Sequence, residues 1–556
     1  MSDPTGYEVL SQAFVAEGVD TLYALLGDAN MYWGAMMAQK YNVRVVHARH
    51  EHCAVAMADG YARHTGKVGV ATVTCGPGFT QIMTALTTAA RGSIPLVVFA
   101  GDSPTSAAWY VQQLDLGPLA TATGARYLPV KSVDRMLDTV REAFYTARQE
   151  RCPVVLGVPL DLQKQPFPWG AEYSPSTELM PTPQRPAPDP ALVEQLAAMI
   201  REARHPIILA GRGCIRSGAA PALEALAERC GALLATSLFA KGLFDHNRYG
   251  IGVAGAYASP LAREQFAACD LLIGVAAGLG HYTTEAGYLY PNAKTVQIDL
   301  NPRGLYQGLR IADMHIKADA KATAEALLAK LAAQNFSSAG ARSPTLAHQI
   351  AATAARPDNK EFLVQAGVVD PRPAMLELDA AIPKDWTVVS GGAHFAGIAV
   401  THIHGRHAEN IHILNDFGAI GSAFSQAVGM AAARGDGKLL LIEGDGSLMM
   451  HIQELETVRR HGIKMLICAV NDGGYGAEVH KFRAQGYDPT DSQHGRGDIA
   501  AIARGFGLRG EKVNSLGRFK ELFTAHEKGG VAELWDLHVD DMIPSAPYRR
   551  IHFGEV

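Results

Sequence analysis

The run Lys438-Leu439-Leu440-Leu441-Ile442-Glu443-Gly444-Asp445-Gly446, followed after 24 residues by Asn471-Asp472-Gly473-Gly474-Tyr475-Gly476, decides how this chain reads. Lys438 to Ile442 has the composition of a strand, Glu443 to Gly446 of a turn, the segment to Gly462 of a helix, and Met465 to Val470 of a second strand. Strands joined in this way run parallel, so the residues just past both meet along one carboxyl edge, where ligands bind. Asp445 and Asp472 therefore come near each other across the intervening helix. Gly444 and Gly446 let the backbone approach a ligand closely, and Ser447 opens a helix whose apolar positions Leu448, Ile452, Leu455 and Val458 recur at helical spacing. Free N–H groups at a helix start favour an anion such as a diphosphate. Carboxylates beside a phosphate suit Mg²⁺, which keeps a few protein oxygens plus phosphate oxygens. A Gly-Asp-Gly turn alone is more often simply a turn; the glycines at 473, 474 and 476 after the second strand shift the reading toward a ligand.

The same plan occurs earlier in the chain. Val68 to Val73 reads as a strand, Cys75-Gly76-Pro77-Gly78 as a turn, the stretch to Gly92 as a helix, and Pro95 to Ala100 as a strand. An offset of 370 sets Cys75-Gly76 on Asp445-Gly446, Gly92 on Gly462 and Asp102 on Asp472, which points to two domains of one fold. Only the later copy has an acidic residue at both edge positions, because Cys75 stands opposite Asp445.

Outward from these units, 556 residues allow three or four domains at roughly 150 residues each. Proline-rich 164–190 and polar 335–360 read as linkers, giving blocks of 1–165, 190–335 and 360–545. All three alternate strand and helix patterns, so the fold class is α/β, with three parallel sheets flanked by helices and the N- and C-terminal domains related. The chain is 48% hydrophobic with a net charge of −5, which argues against disorder. Lys and Arg total 50 against 55 Asp and Glu, without a basic block, so no nucleic-acid partner is expected. Cys53, Cys75, Cys152, Cys214, Cys230, Cys269 and Cys468 form no C-x-x-C pair, which speaks against a disulfide framework or a thiolate metal site and fits a cytoplasmic setting. Met1 to Leu10 lacks an apolar signal core, and the longest apolar runs, such as Ile94 to Ala100, are too short to span a membrane.

The pairing of Gly444-Asp445-Gly446 with Asn471-Asp472 resembles the motif by which thiamine diphosphate enzymes hold their cofactor. Thr74 to Gly78 and Ser93-Ile94-Pro95 resemble the pyrimidine-binding domain of acetohydroxyacid (acetolactate) synthases, and Gly27-Asp28-Ala29-Asn30 the glycine loop of pyruvate decarboxylases. The likeness covers nearly the whole chain. It implies a pyrimidine-binding, a central and a diphosphate-binding domain in that order. It also implies a homodimer as minimal active unit within a homotetramer, since family sites form between subunits. The metal ligands it implies are Asp445, Asp472 and the Gly474 carbonyl, Asp472 standing where the family usually has asparagine. Gly392, Ala393 and His394 match a segment contacting the cofactor, His394 near the diphosphate; Gly76, Gly444, Gly446, Ser447 and Tyr475 complete the cofactor contacts.

Glu51, between the extended run Val43 to Ala48 and the helix-like Cys53 to Arg63, suits a helix start on dipole grounds alone. The resemblance implies more: its carboxyl faces the cofactor's aminopyrimidine ring and, sharing a proton with it, promotes formation of the nucleophilic carbanion. Ile420 matches the bulky residue that holds the cofactor bent, with ordinary core packing as the alternative. Asp28 and Glu478 match proton-transferring acids of the decarboxylases, either of which could equally be a surface or capping group. Gln112 and Gln113 replace a histidine pair of those enzymes, and an amide hydrogen-bonds without shuttling protons. Attack on a second carbonyl is thus better provided for than protonation to an aldehyde. The function implied is decarboxylation of a 2-oxo acid such as pyruvate with acyl transfer to an acceptor carbonyl; alternatives are a benzaldehyde lyase-like or 2-hydroxyacyl-CoA lyase-like enzyme, a simple decarboxylase, or a non-catalytic homologue. The turns Ala210-Gly211-Arg212-Gly213 and Gly278-Leu279-Gly280-His281 leave FAD open, since they are equally ordinary strand-end turns.

Overall fold

The computed structural model describes residues 3–170, 172–182, 184–301 and 312–555; Met1 and Ser2 of the N-terminal stretch, and 171 and 183 of the first expected linker, lie outside them. The chain forms three six-stranded sheets in which every described strand pairing is parallel. The first holds β1 (Thr21–Ala24), β2 (Arg44–His47), β3 (Gly69–Val73), β4 (Leu96–Asp102), β5 (Arg126–Pro129) and β6 (Pro153–Pro159), ordered β2-β1-β3-β4-β6-β5. The second holds β7 (Pro206–Ala210), β8 (Leu233–Thr236), β9 (Gly250–Val253), β10 (Leu271–Val275), β11 (Lys294–Asp299) and β12 (Met314–Lys317), ordered β12-β11-β10-β7-β8-β9. The third holds β13 (Thr387–Gly391), β14 (Ile411–Leu414), β15 (Leu439–Gly444), β16 (Leu466–Asn471), β17 (Arg509–Val513) and β18 (Glu533–His538), ordered β14-β13-β15-β16-β18-β17.

The first and third sheets thus have the same strand order, while the second differs. Strands β3 and β15 are buried along their whole length, which is why each appears in the sequence as an unbroken apolar run. The segment read as one helix after each glycine turn is broken at the same place in both copies: Pro77–Thr80 then Met83–Gly92, and Asp445–Met449 then Glu454–Arg460. In the later copy the expected helix from Ser447 to Gly462 fails because the backbone tightens to bonds three residues apart, Met450 N–H to Ser447 O and His451 N–H to Leu448 O. The 335–360 stretch also differs from a plain linker. Ser343 caps a helix, Pro344–Ala355, by accepting from Leu346 N–H, and Leu346 is buried in a core cluster with β7 and β10 residues.

One hydrophobic core runs through both related sheets and includes Val73, Phe79, Phe424, Leu441 and Leu455. At its centre the helices Glu51–Thr65 and Ser422–Arg434 cross backbone to backbone. A Cβ on Gly60 would lie 1.9 Å from the Gln426 carbonyl oxygen, and one on Gly429 would lie 1.9 Å from that of Met57. Only glycine permits this approach. Around it, Gln426 donates to Asp59 (2.9 Å), and His52 and Ser422, 370 positions apart, are hydrogen-bonded at 3.0 Å.

Candidate active site

Two carboxyl edges carry the residues singled out by sequence. On the first sheet, Gly27 and Asp28 follow β1, Glu51 opens the helix after β2, and Thr74 to Gly78 follow β3. A Cβ on Gly27 would lie 2.9 Å from Thr74 Cβ, and one on Gly78 would lie 3.7 Å from Glu51 Oε1, so these three loops converge. No hydrogen bond or ion pair joins the Glu51 carboxyl to another side chain among the described residues, although Arg49 N–H donates to Glu454 (2.9 Å) and His52 reaches Ser422. Gln112 joins this edge: its Oε1 accepts from Cys75 Sγ at 3.2 Å, and its carbonyl would lie 2.3 Å from a Cβ on Gly76. Burial pushes the Cys75 thiol upward, with Asp102 and Asp28 adding to the shift. Asp28 and Gln113 are exposed.

On the third sheet, Gly392 to His394 follow β13, Asn415 to Ile420 follow β14, Asp445 to Ser447 follow β15, and Asp472 to Glu478 follow β16. Asp445 is buried and accepts from Gly473 N–H at 3.0 Å, while Asp472 accepts from Gly474 N–H at 3.2 Å. The two acids are therefore brought to one spot from adjacent strands. Burial raises Asp445 to about 7. Burial, and then the neighbouring Asp445 charge, raise Asp472 to about 8. Two adjacent carboxyls whose ionisation burial disfavours form the donor set that a divalent cation would relieve.

His394 completes this edge. Ser545 N–H donates to His394 Nε2 at 2.9 Å, so the neutral ring carries its proton on Nδ1. Burial lowers His394 well below the usual histidine range and keeps it neutral. A Cβ on Gly476 would lie 2.2 Å from Asp472 Oδ2 and 3.4 Å from His394 Nδ1, so the glycine keeps this space clear. Ala393 holds φ +100°, a strained conformation for a residue with a Cβ, in the segment matched to the cofactor. Gly446 lies under the Tyr475 ring, where a Cβ would come within 2.9 Å, and Ser447 Oγ accepts from Gly421 N–H at 2.8 Å.

Ile420 lies just before Gly421, is partly buried and belongs to none of the five core clusters. Glu478 is exposed and pairs with Lys481 at 3.5 Å, which fits a surface acid. Two neighbours carried no sequence signal. His494 Nε2 sits 3.9 Å from Asp445 Oδ2, and Ser545 orients His394; both come from loops remote from the motifs. Among the described residues, no hydrogen bond or ion pair of Asp445, Asp472 or His394 reaches the first sheet. In the central sheet, a Cβ on Gly211 would lie 2.0 Å from the Ala276 carbonyl oxygen and one on Gly213 would lie 2.6 Å from Ala276 Cβ. The protein's own packing thus accounts for both glycines, and they give no support to FAD.

Three family models match this chain: thiamine pyrophosphate enzyme, N-terminal TPP binding domain, over residues 4–117; central domain, over 193–327; and C-terminal TPP binding domain, over 394–532. Among curated proteins it is similar to a probable acetolactate synthase large subunit of Methanocaldococcus jannaschii, at 27% identity covering 98% of this chain and 93% of the relative. It is likewise 27% identical to the acetolactate synthase large subunit of Haemophilus influenzae, covering 97% and 95%. The acetolactate synthase isozyme 3 large subunit of Escherichia coli is 26% identical, covering 92% and 90%.

Proposed function

The chain belongs to the thiamine pyrophosphate enzymes, and from that premise we propose that it is a Mg²⁺-dependent carboligase that decarboxylates a 2-oxo acid such as pyruvate and transfers the acyl unit to an acceptor carbonyl. One observation carries the reading. Asp445 and Asp472 converge from adjacent strand ends on a space that Gly476 keeps clear and that His394 faces. In this reading Asp445, Asp472 and the Gly474 carbonyl hold the cation. His394 Nδ1–H and the backbone around Gly392, Gly446 and Ser447 hold the diphosphate.

Thiamine diphosphate, when bound, supplies a nucleophilic carbon and a sink for the electron pair released with CO₂. This chain's residues do the rest. Glu51 presents a carboxyl that no other side chain among the described residues engages, free to hydrogen-bond a ring nitrogen. Ile420 presents an apolar ledge, beside Ser447, against which a ligand is bent into a reactive conformation. Gln112, anchored by Cys75, donates through its amide without becoming a proton source. That favours capture of an acceptor carbonyl over release of a free aldehyde. Glu51 and the Asp445–Asp472 pair lie on different sheets, with no hydrogen bond or ion pair between them among the described residues, which supports a site completed by a second copy in a homodimer, and a homotetramer built on it.

Product analysis tests this. Pyruvate supplied alone with Mg²⁺ and cofactor should yield CO₂ and a hydroxy-oxo acid built from two donors. Cleavage of a hydroxyketone without CO₂ would instead make the enzyme a lyase.

A further inference from the structure

Beside the site, but outside the Asp445–Asp472 pair, the fold assembles a second set of ligating side chains. His50, Cys53 and His451 each present one ligand atom, and these atoms lie within 4.8 Å of one another. Cys53 is buried and the two histidines half-buried. The three come from two domains: His50 caps and Cys53 lies within the first turn of the helix Glu51–Thr65, while His451 stands in the tightened turn between Asp445–Met449 and Glu454–Arg460. The absence of any C-x-x-C spacing argued against a thiolate metal site. A C-x-x-C pair supplies ligands close in sequence, whereas here tertiary structure joins one cysteine to two histidines.

The hydrogen bonding of His451 is that of a ligand. Its Nδ1 lies 3.0 Å from the Gly421 carbonyl oxygen, which can only accept, so the ring proton is on Nδ1 and the Nε2 lone pair is left for an ion. A histidine ligand whose other nitrogen is tied to a backbone carbonyl is the usual outer-shell arrangement in metal sites. The ring is held further by stacking on His52, with centroids 4.7 Å apart and planes at 12°. His50 Nδ1 accepts from His52 N–H at 3.1 Å, and ligation through that atom replaces one helix-cap bond.

We propose that His50, Cys53 and His451 form a binding site for a thiolate-preferring divalent cation, Zn²⁺ being the best match, distinct from the Mg²⁺ site and bridging the first and third domains. One thiolate and two imidazoles are a borderline-soft donor set that suits Zn²⁺ and disfavours Mg²⁺. Tetrahedral Zn²⁺ with bonds of about 2.0–2.3 Å needs ligand atoms roughly 3.4–3.8 Å apart. A spread of 4.8 Å therefore closes with about an ångström of side-chain movement. Binding replaces the Cys53 S–H bond by S–Zn, and the proton leaves to solvent; water takes the fourth position. The ion would sit against both halves of the catalytic machinery. Its ligands flank Glu51, and the carbonyl that orients His451 belongs to Gly421, the residue after Ile420. Occupancy should fix the Glu51 turn against the third domain and slow turnover.

The test uses the full chain stripped with a chelator and titrated with Zn²⁺ against a chromophoric competitor. One equivalent per chain should bind, weakened at least ~10-fold in Cys53→Ser and in His451→Asn and unchanged in Asp445→Asn. Co²⁺ added to the unaltered protein should give a near-ultraviolet sulfur-to-metal band, a readout that needs no variant to fold. Absence of stoichiometric uptake, uptake equal in Cys53→Ser and His451→Asn, or a Co²⁺ spectrum without the thiolate band would overturn the proposal.

Discussion

Asp472 stands where the resemblance to thiamine diphosphate enzymes leads one to expect asparagine, and its carboxyl lies beside that of Asp445. A second carboxylate beside buried Asp445 raises the charge offered to a cation, and without one burial disfavours ionisation of both acids, with the Asp445 charge adding to the shift of Asp472. Asp472→Asn should therefore weaken Mg²⁺ on the order of tenfold and tighten the anionic diphosphate. Calorimetric titration of each ligand would check both directions, and unchanged affinities would remove Asp472 from the ligand set. The acids were legible because each follows a strand directly and brings its own glycines. His394 was legible only by position in a motif. Its proton placement was not, since that depends on Ser545, 151 residues away.

At the scale of elements, the crossing of Glu51–Thr65 with Ser422–Arg434 holds the related domains together. Its tightest points are glycine backbones. Gly429→Ala would drive a methyl group into the Met57 carbonyl, which sits on a helix that cannot yield locally. Loss of about 3 kcal/mol or more is expected, read as a lowered denaturation midpoint, whereas Gly435→Ala, with nothing within 4 Å, would pay only for its positive φ. The 370-residue offset made the two strand–turn–helix units visible before any coordinates. It could not show that the helices after the turns break, because apolar spacing continues across the break at 450–453 while the backbone bonds do not.

For the whole molecule, the first and third domains hold histidines that burial keeps neutral. His52 is lowered to about 3, and His412, His461 and His480 to about 4, with desolvation the first cause in each. At these four positions the unfolded chain, with histidine near 6.5, binds more protons than the folded one between about pH 4 and 6.5. Their contribution to stability should thus be complete above pH 6.5 and fall as the pH drops through that window, while the raised Asp445 and Asp472 act in the opposite direction when no cation is bound. His461 Nε2 accepts from His47 N–H at 2.9 Å, a bond that protonation breaks. His461→Asn should flatten part of the acid slope in melts between pH 7.5 and 5, and an unchanged slope would place the lability elsewhere. The α/β class and the repeated domains were legible at this scale from periodicity alone. The placement of His494 beside Asp445 was not, because periodicity records elements and not which loops face each other. The most direct test of the central reading is turnover of pyruvate by Glu51→Gln with saturating Mg²⁺ and thiamine diphosphate, with cofactor binding followed separately by thermal shift. Binding should persist while turnover falls by on the order of 10²- to 10⁴-fold; near-normal turnover in that variant would contradict it.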